Sequence, residues 1–494
     1  VAKQEWHRPL VDFVGGFVDH PDFAIAALFH RSDAPTLAID LGFAEYQRLL
    51  DQREQALDLG VNVGAGGDAV RAEVHASGPA VDALLRFPEG PAESLVGASW
   101  PLEVVVDGDE TLLDLHSFSL APADETWLLT WGYMEALRRA DVLAPRVELV
   151  RLILNGSDWG LYVLEEEPSV DWLKAHGRPG IVVAFDAGTY WDAVARLGDT
   201  VPGSGFQYAG VTAGPPCNDE DGEHATACNE AVELLRQLRD GEVSPTVVLD
   251  AGRMAALVAQ NTLWRGTMAL DWRSLRFAYT PATQRLEPIA TGAAFSATAP
   301  LPDSITAAPE LQVATAQALA ALAQPETLAA LQDDLSPEMT SNRLELAADM
   351  GYVPMPWQTV EDHRATIQRQ LAPSQLILAT VSTDGSALVL RLTNPQPFPV
   401  EITGVDVGEN AFLTPDPAWV SESDRQALVE GSGGLVLRAA AGSQASSIRL
   451  RVPTTAFTTS ADQASEEVRL TTRLYGLDTQ QIVVATWESD GGGR

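Results

Sequence analysis

The sequence predicts an α+β fold in at least two units: a mixed body of strands and helices, then an all-β sandwich. Three observations carry this. Period-two alternation dominates the first third, helical periodicity takes over in the middle, and about seven short alternating runs fill the last quarter. A length of 494 residues also exceeds what one ordinary core organises.

Residues 1–20 have mixed character and read as an N-terminal arm. From Pro21 the pattern turns to strand and helix. Residues 33–42 alternate like a strand, and 43–57 carry helical spacing at Tyr46, Leu49, Leu50 and Leu57. Segments 69–78, 81–90 and 100–121 read as strands, the last with a turn at Asp107-Gly108-Asp109. Residues 127–142 form an amphipathic helix, with Arg138 and Arg139 near the end where cations suit the helix dipole. Residues 147–167 read as a β-hairpin turning at Asn155-Gly156, since that pair accepts the left-handed backbone of a tight turn. A strand at 181–186 follows. Helices are then expected at 226–239, 250–265, 307–323, 325–333, 336–349 and 357–371, with a hairpin at 273–290 around Pro281-Ala282-Thr283. From Ser374 to residue 488 the seven alternating runs predict an immunoglobulin-like sandwich, and 489–494 a flexible tail.

Acidic residues outnumber basic ones 68 to 32, leaving a formal net charge of −36. Such a balance argues against nucleic acid, whose phosphates demand a basic surface; it also repels anionic membrane faces and does nothing to attract a nucleotide triphosphate. Lys3 and Lys174 are the only lysines, so chemistry that needs an ammonium has two places to find one. No apolar run reaches the roughly 18 residues of a spanning helix. A G-x-S-x-G elbow and a His-Glu-x-x-His pair are both missing and the eight histidines are scattered, which disfavours a hydrolase.

Cys217 and Cys228 bracket an acidic decapeptide. That gap suits a disulfide, and hence an oxidising compartment. Free thiols are the next reading. A metal site on both thiols with His224, or calcium on Asp219, Glu220, Asp221 and Glu223, fits known ligand spacings poorly. Because the chain begins at Val1, a removed signal or a membrane anchor upstream is expected.

From about Thr36 to Ala372 the chain resembles the kinase-like family typified by the spore-coat protein CotH, and most of all its bacterial extracellular members. The residues that carry the likeness occur in family order. They are TLAIDLGFAEYQRLLDQREQAL, FSL before a tryptophan-rich helix ending EALRR, VRLILNGSDWGLYVLEEE, and DWRSLRFAYTPATQRLEPI. The N-G-x-x-W-G-x-Y piece is the most specific. The resemblance implies a two-lobed atypical kinase fold over 21–373: an N-lobe at about 21–190, the acidic loop at about 200–228, and a helical C-lobe at about 229–373.

Phosphoryl transfer needs a cation on the phosphates, an acid to organise it, carboxylates for magnesium, and a base for the acceptor. By the resemblance, the remnant cleft is marked by Arg86, Glu166 and Asp271. The family's lysine positions are Pro88 and Ser99, and the arginine expected after FSL gives way to Asp124 and Glu125. Ser274 stands for the loop asparagine and Gly292 for the metal-binding aspartate. Glu165, Glu166 and Glu167, lacking a lysine partner, read as a solvated acidic turn. These losses imply a pseudokinase without catalytic residues, cofactor or metal, acting with other proteins of a surface complex or filament. The alternative is an active atypical kinase using ATP and Mg, built on Arg86 and Asp271 with Asp186 or Glu166. In the sandwich, Trp419 and Trp487 are candidate sugar contacts.

Overall fold

The computed structural model describes residues 21–64, 68–198, 204–214, 217, 224–291, 300–384, 387–408, 412–430, 432, 434–440, 444–453 and 467–488. The N-terminal arm, the acidic residues 218–223, Gly292 and the tail lie outside the described residues. The fold is mixed α+β, with a barrel-like sheet first, helices around a second sheet next, and further sheets toward the C-terminus.

After the helix Pro21–Phe29, the strands up to residue 166 are β1 (Thr36–Asp40), β2 (Val61–Asn62), β3 (Val70–His75), β4 (Val81–Arg86), β5 (Gly90–Pro91), β6 (Leu102–Val106), β7 (Ser117–Pro122), β8 (Val147–Leu154) and β9 (Ser157–Glu166). Seven of them close into a barrel in the order β1-β3-β4-β6-β7-β9-β8, and β2 pairs with β5 beside it. Strict alternation fills its interior: Val81, Ala83 and Leu85 point inward on β4 while Asp82, Leu84 and Arg86 face out. The seam is the parallel pairing of β1 with β8, Leu37 opposite Leu152. The Phe43–Leu59 helix lays Leu49 and Ala56 on this core. The turn expected at 107–109 is longer, because β6 and β7 stop at Val106 and Ser117 and a loop holding Leu112 and Leu115 in the core separates them.

Strands β10 (Ile181–Asp186), β11 (Gly210–Ala213), β12 (Arg276–Thr280) and β13 (Arg285–Ile289) form a four-stranded sheet ordered β11-β10-β12-β13. Helix Ala225–Asp240 covers it, and the disulfide Cys217–Cys228 ties the turn after β11 to that helix with a Cα–Cα span of 5.6 Å. Closing an eleven-residue interval restricts the unfolded chain by about 3 kcal/mol. The Ala251–Arg265 helix is the hub of the helical body, contacting Pro309–Leu322, Trp357–Leu371 and Trp127–Arg139. A Cβ added at Gly132 would lie 2.4 Å from the Trp264 ring, so glycine alone permits that helix crossing. Helices expected at 325–333 and 336–349 are one helix, Pro325–Met350, running through Pro337. Leu335, Met339 and Leu346 are buried on either side of the proline, and this packing outweighs the lost backbone bond.

The C-terminal strands are β14 (Leu378–Asp384), β15 (Ala387–Asn394), β16 (Val400–Val407), β17 (Phe412–Leu413), β18 (Leu435–Leu437), β19 (Ser446–Pro453), β20 (Val468–Leu474), β21 (Gln480–Val484) and β22 (Thr486–Trp487). They make two sheets, β19-β15-β14-β22 and β17-β16-β20-β21, with β18 on β16. Their inward residues, Val381, Leu390 and Leu450 against Val405 and Leu470, belong to the same apolar cluster as the helical body. Trp419 and Trp487 are half-buried against that cluster.

Candidate functional site

In the N-G-x-x-W-G-x-Y hairpin, the named motif residues have structural tasks. Asn155 (φ +47°) and Gly156 (φ +74°) make the turn between β8 and β9. The Asn155 Oδ1 accepts the Leu41 N–H at 2.7 Å, and its own N–H donates to Ile39 O, anchoring the end of β1. Trp159 meets the Trp100 ring edge-on at 5.1 Å, and the Tyr162 hydroxyl donates to Trp100 O. Gly160 (φ +87°) lets β9 approach Asp349, whose Oδ2 accepts the Leu161 N–H at 3.1 Å. Arg151 bonds both Asp158 and Asp349, so the motif docks the barrel on the Pro325–Met350 helix.

Arg86, Glu166 and Asp271 are each held by a separate partner. Arg86 donates from Nε to Glu103 Oε2 at 2.6 Å across the β4–β6 pair. Glu166 accepts the Trp172 indole N–H at 3.0 Å and the Arg146 backbone N–H at 3.3 Å. Asp271 caps the short 3-10 helix Trp272–Ser274 and takes Arg273 on both oxygens, at 2.9 and 2.5 Å. Asp186, the other carboxylate of the catalytic alternative, accepts the Gly188 N–H at 3.0 Å where the Gly188–Leu197 helix begins.

The run Glu165–Glu167 is not a solvated turn. It closes strand β9, Glu165 is buried, and Glu167 pairs with Arg276 of β12 at 2.9 Å. Arg276 thus joins the end of the barrel to the second sheet. Burial opposes its charge, yet Glu167, Glu165 and Glu103 outweigh that and hold its pKa above the ordinary arginine value. A basic residue between the apolar Leu275 and Phe277, at the start of an alternating strand, was the available signal. Asp124 accepts the Thr126 N–H at 2.8 Å beside the Trp127–Arg139 helix.

Glu89 lies near enough to Asp186, Arg86, Glu103 and Asp192 to feel all four charges. Desolvation, then the negative charge of Asp186, push its carboxyl up to about 7, with Arg86 opposing and Glu103 and Asp192 adding to the rise. The folded state therefore favours the protonated acid. Glu89 is exposed, so water screens part of the effect: its carboxylate costs a modest amount of stability, growing as pH climbs from the ordinary value of 4.5 to about 7. Glu89→Gln is expected to raise the melting temperature at pH 8 and leave it unchanged at pH 4, read by calorimetry. A drop at pH 8 would mean that Glu89 has an attractive partner instead.

Asp271 also borders a cavity of about 20 Å³ with Tyr133, Asn261, Arg265, Ser274 and Thr291. The Arg265 guanidinium lies 4.4 Å over the Tyr133 ring, and Asn261 Nδ2 donates to Thr267 O and Ala269 O. The space admits about one water, not a nucleotide. Among the described residues, no three His, Cys, Asp or Glu side chains are placed to share a metal ion. No helix of the described residues is long and apolar enough to cross a membrane. No family model and no curated protein matches this chain.

Proposed function

We propose that this chain is a non-catalytic, CotH-type kinase-like protein. In this reading it works outside the cytoplasm as a structural or interaction subunit of a cell-surface assembly. The barrel and the helical body are its two lobes, and the C-terminal sheets an immunoglobulin-like module. The observation that carries it is the pairing of cleft cations with the chain's own acids: Arg276 with Glu167, Arg273 with Asp271, Arg86 with Glu103. A polyphosphate entering there would have to break these pairs, beside carboxylates such as Asp186 whose charge already raises the Glu89 pKa. The kept motif residues serve docking and turn formation, which suits a scaffold whose chemistry is gone. The disulfide supports an oxidising compartment.

The decisive measurement is a melting curve with ATP and magnesium or manganese. A ligand at 100 times its Kd would stabilise the fold by about 2.7 kcal/mol, a displacement of several degrees. The expected result is none. Stabilisation by nucleotide with metal, or transfer of labelled phosphate to any acceptor, would favour the active kinase over the scaffold.

A further inference from the structure

Where the helical body meets the C-terminal sheets, the structure leaves a cavity of about 260 Å³. Met254 and Val258 of helix Ala251–Arg265, Leu311 and Thr315 of helix Pro309–Leu322, and Phe398 between β15 and β16 form much of its wall. All five are buried residues of the protein interior. Asp303, at the start of helix Asp303–Thr306, is exposed and lies at the edge of the space. It is the one charged residue on the wall among the described residues. An apolar cavity of about 150 Å³ accepts benzene, so this one has room for an aromatic ring with a short side chain. Ligand sites favour such junctions: an apolar body with few polar groups to set orientation.

We propose that this cavity binds a small aromatic or aliphatic amine, with its apolar part between Val258, Leu311 and Phe398 and its ammonium toward Asp303. The sign follows from the wall. A carboxylate or phosphate would be desolvated beside Asp303 with no cation to receive it, on a chain whose net charge is −36. The uncharged part has apolar wall on the helical and the sheet side, with Thr306, Gln312 and Thr315 as the uncharged polar residues of the wall among the described residues.

The test uses the whole chain with two probes of one shape and opposite charge, 2-phenylethylamine and phenylacetate. Calorimetric titration is run at physiological salt, where a Debye length of about 8 Å removes the long-range pull of the net charge. The amine is expected to bind at least about tenfold more tightly than the acid, a difference of about 1.4 kcal/mol. Asp303→Asn should bring the two within about threefold, as expected when one exposed charge contact is lost. Val258→Phe, which fills the cavity, and Ala307→Leu, a milder change at its wall, should each abolish binding of both probes, with circular dichroism confirming the fold. Absence of amine binding overturns the proposal. So do equal affinities for the two probes, a preference that survives Asp303→Asn, or binding unchanged in both filled variants.

Discussion

Replacing Trp272 by alanine is expected to cost about 3–5 kcal/mol, the range for truncating a fully buried tryptophan. The ring is 0 % exposed and meets three others edge-on: Tyr190 and Phe206 at 5.7 Å and Phe185 at 6.5 Å. Its indole N–H donates to Ser204 O at 3.0 Å. One side chain thus fastens strand β10, helix Gly188–Leu197 and the turn at 204–208 to the segment that carries Asp271 and Arg273. Trp272→Phe keeps much of the packing but forfeits the hydrogen bond, and should cost distinctly less. Urea denaturation followed by far-ultraviolet circular dichroism gives both values. A loss below about 1 kcal/mol for the alanine variant would mean that the aromatic cluster closes over the gap, which the spread of large-to-small substitutions ties to easy collapse.

The second large effect belongs to Glu287. This buried carboxylate of β13 receives Arg178 at 3.1 Å and lies 3.6 Å from Arg253. Both guanidinium groups also bond Asp141, at 2.8 and 2.7 Å, and Arg253 reaches Asp250 at 2.7 Å. Glu287→Ala leaves Arg178 on Asp141 and Arg253 on Asp141 and Asp250, with the buried acid between them gone. Breaking a fully buried pair costs about 3–5 kcal/mol, but a quarter of each arginine side chain is exposed here and water can compensate in part. The expected loss is about 2 kcal/mol. The Asp141 carboxyl is held below its ordinary pKa, first by its hydrogen bond from Arg253. Its contribution is therefore present above the ordinary value of 3.8 and is lost as pH falls through the lowered one. A double-mutant cycle between Glu287 and Asp141 should show coupling, and additive losses would mean that the two acids act independently.

What the sequence disclosed follows from the range of each interaction. The strand at 181–186 and the helix at 357–371 fall where apolar periodicity places them, because their patterns are local. The Asn155-Gly156 turn was legible for the same reason. Barrel closure was not: Leu37 and Leu152 are paired across more than a hundred residues, and no local pattern records that choice. Pro337 misled, since a helix-breaking residue sits between buried leucine and methionine positions whose packing overrides it. Among the candidate site residues, the types were readable but not their partners. Arg86 was legible as a strand arginine, but only cross-strand register pairs it with Glu103. Arg276 was overlooked because its acid, Glu167, lies 109 positions away.

The parallel seam between β1 and β8 has a kinetic meaning. A growing chain makes β1 among its earliest strands, but that strand's second partner ends only at Leu154. Until then the half-built sheet carries an open margin of unsatisfied amide groups, the kind of template on which strands of other molecules assemble. Such a long-range contact slows the search for the native state. During synthesis and refolding alike, this domain therefore passes through an adhesive interval that ends when the two strands join.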